Sequence, residues 1–192
     1  MSTSTSNIYV WVWLPEETSP VPAGVLLNNR GRFDFRYGNL YLERPNAVSL
    51  SPTLPLPQEP TAYPPTADMA LPSAIRDAAP DAWGRRVILA RLTGKRGRDA
   101  ETADLPENVY LMESASDRIG ALDFQATPSE YVPRGDGSLD IGKLHEIASR
   151  ISAGEAVSAE LYDAMLSGTG IGGARPKALV SLNGIPSMVK FS

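Results

Sequence analysis

The sequence predicts an α+β fold in which a sheet comes first and most of the helices follow. Three observations carry that expectation. The first 37 residues hold three segments dense in β-forming residues, and two later segments, near residues 82–92 and 141–151, repeat their apolar residues with helical spacing. The chain also carries 17 prolines and 16 glycines in 192 residues, too many breakers for a helical bundle. With 42% hydrophobic and 21% charged residues, the composition is that of a globular protein of one domain or two small ones.

The β elements come first. Ile8-Tyr9-Val10-Trp11-Val12-Trp13-Leu14 places aromatic residues on one face and aliphatic residues on the other, which predicts a strand buried on both sides. Ala23 to Asn29 predicts a second strand. Arg32-Phe33-Asp34-Phe35-Arg36-Tyr37 alternates polar and aromatic with period two, so it predicts a half-exposed third strand. Together these make an antiparallel meander or barrel-like sheet. Residues 51–72 are rich in proline and predict a surface crossing without regular structure, favoured over a polyproline ligand.

Helical signals follow. Asp81 is placed to cap a helix over Ala82–Leu92, with Trp83, Val87 and Ala90 on one stripe and Gly94 as its stop. Pro106 opens a shorter helical segment. Ile119 to Phe124 predicts a further strand. A linker-like stretch then leads to a helix over Ile141–Ile151, with Leu144, Ile147, Ala148 and Ile151 together, and Ser158 is placed to cap a short helix over Ala159–Leu166.

Composition excludes several chemistries. There are no cysteines, which removes disulfides, thiolate metal sites and cysteine nucleophiles. His145 is the one histidine, one residue off its helix's apolar stripe and expected half-buried, so no histidine triad or histidine metal cluster can form. The net charge of −4 argues against nucleic-acid binding by the whole surface. A local basic group, Arg85, Arg86, Arg91, Lys95, Arg96 and Arg98, is read as a solvated helix face and loop before a docking patch. The start Met1-Ser2-Thr3-Ser4-Thr5-Ser6-Asn7 lacks a secretory pattern, and no run approaches the roughly 18 apolar residues of a membrane span. A cytoplasmic location is expected.

The chemistry concentrates near the end. Ser167-Gly168-Thr169-Gly170-Ile171-Gly172-Gly173-Ala174-Arg175-Pro176-Lys177 is a small-residue loop, followed by a predicted hairpin turning at Asn183-Gly184 and carrying Lys190 on its return strand. Backbone N–H groups of such a loop can approach a phosphate closely, and a strand lysine can reach the same phosphates as a point charge. The loop alone is neither a Walker A sequence nor a dinucleotide fingerprint, and a surface turn explains it equally well. Loop, hairpin and lysine in this order are the layout of a protein-kinase-like nucleotide lobe. Asp77 and Asp81 are read as a solvated carboxylate and a helix cap. No segment matches a kinase catalytic loop or an Asp-Phe-Gly metal motif.

Three segments carry a family resemblance. Ala79-Pro80-Asp81-Ala82-Trp83-Gly84-Arg85-Arg86, Asp117-Arg118-Ile119-Gly120-Ala121-Leu122-Asp123-Phe124 and Gly172-Gly173-Ala174-Arg175-Pro176-Lys177-Ala178 resemble HipA-type serine/threonine kinases, the toxins of type II toxin–antitoxin modules. The resemblance runs from about Ile8 onward. It implies a disordered start at 1–7, a HipA N-terminal subdomain at 8–124, a linker at 125–137 and the beginning of a kinase core at 138–192. It further implies ATP and Mg²⁺ as cofactors, a HipB-like helix-turn-helix antitoxin that supplies the DNA contact, and an aminoacyl-tRNA synthetase as protein substrate, with growth slowed by its phosphorylation. Residue by residue, Thr169, Gly170, Ile171, Gly172 and Gly173 would cover the ATP phosphates and Lys190 would contact them, while Lys177 would be structural.

Two departures qualify the resemblance. Some family members autophosphorylate a serine in the glycine-rich loop. Here Thr169 and Gly170 stand nearby, so Thr169 or Ser167 would be substitute acceptors. The lobe with the catalytic Asp and the Mg²⁺ ligands has no counterpart in the sequence, so no catalytic residue is assigned and the chain is expected to be inactive alone. A truncated kinase is preferred to a subunit of a split HipA-like system that completes a kinase encoded next door. A non-enzymatic interaction domain is the third possibility.

Overall fold

The computed structural model describes residues 7–94, 105–135, 140–171, 173–182 and 185–191. The chain forms two compact units, one of residues 1–78 with 120–132 and one of residues 79–119 with 133–192. The architecture is mixed α+β, as the sequence predicts.

The first unit is built on a five-stranded antiparallel sheet. Its strands are β1 (Ile8–Val12), β2 (Val21–Asn29), β3 (Arg32–Tyr37), β4 (Ala62–Tyr63) and β5 (Leu122–Gln125), in the order β4-β3-β2-β1-β5. The β2–β3 hairpin closes through Arg30 and Gly31, both at positive φ, the geometry of a tight two-residue turn whose twist matches its strands. Phe33, Phe35 and Tyr37 alternate inward as the period-two pattern requires. The helices α1 (Asn39–Leu42) and α2 (Ser73–Asp77) are short turns that the periodicity does not announce.

The proline-rich stretch contains β4, contrary to the expectation of no regular structure. Its order comes from tyrosine hydroxyls rather than from its own pattern. Tyr37 donates to Leu54 O and accepts from Leu50 N–H, Tyr41 donates to Val48 O, and Tyr63 donates to Pro55 O. These bonds satisfy backbone groups that a strandless loop would otherwise leave to water. Burial pushes the Tyr37 hydroxyl up to about 12.

Residues 125–132, expected in the linker, belong to the first unit. Asp123 is fully buried and accepts hydrogen bonds from Tyr131 Oη and Gln125 Nε2, while Trp11 and Trp13 pack against the Tyr131 ring. A buried carboxylate needs such donors, and the segment supplies them.

One substitution tests the sheet. A Cβ added at Gly24 would lie 2.2 Å from Arg36 O and 2.7 Å from the Phe35 ring. Gly24→Ala is therefore expected to cost about 2 kcal/mol or more through overpacking, measured as a lowered urea midpoint for the first unit.

The second unit contains α3 (Ala82–Thr93), α4 (Glu107–Glu113), α5 (Ile141–Ser152), α6 (Ala159–Ala164) and a hairpin of β6 (Lys177–Leu182) and β7 (Ile185–Lys190). Helices α3 and α4, which the sequence places with the N-terminal subdomain, thus pack in this unit. Its core joins Trp83, Val87 and Ala90 of α3 to Leu144, Ile147, Ala148 and Ile151 of α5, with Tyr162, Met165, Ala178 and Val180. These are the two stripes read from the sequence. Asp140 caps α5 by accepting from the N–H groups of Gly142 and Lys143, and Gly94 ends α3 in the left-handed region.

Part of the basic group is internal wiring. Arg85 makes a two-pronged pair with Glu107 at 2.7 and 2.8 Å and lies over the Tyr110 ring, and Arg91 bridges Glu113 and Asp163. These two arginines tie α3 to α4 and α6. Lys95, Arg96 and Arg98 lie outside the described residues. His145 is exposed rather than half-buried, its ring against that of Phe191. No helix among the described residues is long and apolar enough to cross a membrane.

Candidate functional site

The glycine-rich loop lies entirely in the second unit, and all three motif segments bear on it. Helix α3 approaches first. Asp81 stands at its N-cap position, yet its side chain caps nothing in its own helix and accepts from Gly173 N–H at 2.6 Å. This corrects the expected role of Asp81. Trp83 N–H donates to Gly173 O, and the buried Trp83 indole N–H donates to Lys177 O at 3.3 Å. Gly84 lets the loop touch the helix, because a Cβ there would lie 2.4 Å from Thr169 O. Ser158 likewise starts α6 without capping it through its side chain.

The segment around Asp117 holds the other end. One carboxylate oxygen, Oδ2, accepts from Ser167 Oγ at 3.0 Å and from Gly168 N–H at 2.8 Å. The second oxygen is buried without a hydrogen-bond partner. Burial raises the Asp117 carboxyl above its usual range, against the lowering effect of these two bonds and of Arg118. The Arg118 stem lies beside Gly170, with its Cγ 3.0 Å from where a Cβ would stand, while its guanidinium donates to Leu111 O.

The loop itself divides into two halves. Residues 167–171 are buried and 173–175 are exposed. In the buried half, Thr169 N–H bonds Leu166 O and Ile171 N–H bonds Gly168 O. Thr169 Oγ1 donates to Leu166 O at 2.6 Å and accepts from Ala115 N–H, so its hydroxyl is occupied, and Ser167 Oγ is occupied by Asp117. Gly168, at φ +90°, packs on β6, where a Cβ would meet Ala178 Cα at 2.8 Å. The exposed half, Gly173 to Arg175, is the part that a ligand can reach. Gly172 lies outside the described residues, as does the Asn183-Gly184 turn.

The hairpin supplies two cations. Lys177 and Lys190 are directly paired across β6 and β7, which puts both side chains on one face. Lys190 is exposed. Lys177 is buried to 1% exposure, with Nζ donating to Gly173 O at 3.1 Å. Burial pushes its ammonium below the usual lysine range, Asp81 opposes that shift and Lys190 adds to it. Two residues along the same face, Leu179 and Met188 form the next cross-strand pair and leave apolar surface exposed.

The exposed cationic and backbone groups here are the Lys190 ammonium and the turn from Gly173 to Arg175, a donor set of the kind that takes a phosphate, although the Gly173 N–H is already held by Asp81. Among the described residues no group of three or more histidines or carboxylates is placed to hold a metal ion. Sequence reasoning missed Asp81 and Asp117 as holders of the loop. Asp81 occupies a helix-cap position, and its loop partner is 92 residues away in sequence.

Fold and site together define a mixed α+β protein whose second unit presents a braced glycine turn and a cross-strand lysine pair. A sequence model of the HipA N-terminal domain family matches residues 12–125, more than half of the chain. The chain belongs to that family. No match was found among the curated proteins.

Proposed function

We propose that this chain supplies the nucleotide-gripping part of a HipA-type serine/threonine protein kinase acting in the cytoplasm. The observation that supports this most is the convergence of all three HipA-like segments on one glycine-rich loop beside the Lys177–Lys190 pair. Lys190 and the exposed turn from Gly173 to Arg175 grip the phosphates of ATP by charge and by backbone N–H groups beyond that of Gly173, which Asp81 holds. Leu179 and Met188 offer apolar surface next to the cations. Thr169, Gly170 and Ile171 back the turn from inside the unit. Bound ATP would supply the phosphoryl group, and no residue of this chain is assigned to transfer it. The protein substrate in this proposal is of the aminoacyl-tRNA synthetase type, and a HipB-like antitoxin restrains the kinase. Thr169 and Ser167 would become phosphoacceptors only after the loop leaves its present hydrogen bonds.

Calorimetric titration of the chain with ATP·Mg²⁺ tests this. Weak, saturable binding is expected, and Lys190→Ala should weaken it about tenfold, the size expected for losing one hydrogen bond to a charged group. No phosphate transfer by the chain alone is expected. Absence of saturable binding contradicts the proposal.

A further inference from the structure

We propose that Asp117 and Asp81 are positioning residues of the glycine-rich loop, one clasping each end. The inference rests on the nucleotide-loop proposal above and names the groups that give that loop its shape. Asp117 Oδ2 gathers Ser167 Oγ and Gly168 N–H where the loop leaves α6, and Asp81 Oδ2 takes Gly173 N–H where it turns toward β6. Between these anchors the chain is mostly small residues, whose freedom would otherwise make the loop costly to order around a ligand.

The two clasps differ in strength. The two Asp117 bonds are part-buried, whereas the Asp81 bond is exposed and competes with solvent. Asp117 is therefore the stronger anchor. Neither side chain serves its own helix, since Asp81 makes no cap bond to α3 and Asp117 lies outside α4. Their side-chain bonds thus serve the loop.

The experiment uses the whole chain. Amide hydrogen exchange is followed by NMR at Gly168, at Gly173 and at the core residues Val87 and Ile147, and ATP·Mg²⁺ affinity is measured in parallel. Asp117→Ala should speed exchange at Gly168 at least about tenfold, and Asp81→Ala should speed Gly173 by a smaller factor, with the core amides unchanged. Asp117→Asn and Asp81→Asn keep an acceptor oxygen and should hold the loop amides within about threefold of the unsubstituted chain.

Unchanged exchange at the loop amides in the alanine variants overturns the proposal. So does an equal rise at Val87 and Ile147, which would make the carboxylates general supports of the fold. Tighter ATP binding by Asp81→Ala overturns it too, because the carboxylate would then be a competitor of the phosphates. If the unsubstituted chain binds no ATP but the loop amides respond as described, the clasps stand and the nucleotide proposal falls.

Discussion

Trp83→Ala is expected to unfold the second unit or leave it loosely packed. The indole is fully buried at the centre of a cluster shared by α3, α5 and β6, and its N–H holds Lys177 O. Truncating a buried tryptophan costs about 3–5 kcal/mol, and an orphaned buried carbonyl adds about 1 kcal/mol or more. Whole domains are stable by only about 5–15 kcal/mol, so the variant should lose most of its margin. Urea denaturation followed by circular dichroism should show a transition at much lower denaturant or none. Trp83→Phe keeps most of the volume and should recover a cooperative transition with a smaller loss. A wild-type midpoint for Trp83→Ala would contradict the packing described.

Gly84→Ala is expected to be destabilising although it removes a helix-interior glycine. On propensity alone the change should gain about 1 kcal/mol. The added methyl would lie 2.4 Å from Thr169 O and 2.8 Å from Pro80 Cβ, and the first of these is backbone that cannot swing aside. Overpacking of this kind costs about 1–3 kcal/mol, which outweighs the propensity gain. The strain has one outlet, displacement of residues 168–170 away from α3. The variant should show a lowered denaturation midpoint, faster amide exchange at Thr169 and weaker ATP·Mg²⁺ binding. Stabilisation by Gly84→Ala would mean that the loop does not rest on the helix.

The legible parts of the sequence were those whose pattern is local. β3 could be read from Phe33, Phe35 and Tyr37 because one of its faces is buried and the other is wet. The α5 stripe of Leu144, Ile147, Ala148 and Ile151 was visible for the same reason, at helical spacing. β4 was not visible, since two residues carry no period and the strand exists through its pairing with Phe35 and Arg36 of β3. Helices α3 and α4 were recognised, but the unit they join is decided by contacts with residues 140–191, which local patterns do not encode.

The candidate site was legible as a list and not as an arrangement. The loop and Lys190 could be named from residue type and order. The burial of residues 167–171 could not, because small residues look alike in a surface turn and in a packed one. Lys177 was expected to be structural, but its depth was not foreseeable, since lysine is seldom fully buried unless paired. It is buried here because the Gly173 carbonyl and the Asp81 charge compensate its ammonium.

The proposed nucleotide-gripping role of the loop on which the three segments converge is tested most directly by mapping where ATP·Mg²⁺ touches the chain. Hydrogen exchange with mass spectrometry should show new protection in peptides covering 168–177 and 185–191, with residues 8–78 unchanged. Protection confined to residues outside the second unit, or none at saturating nucleotide, would contradict it.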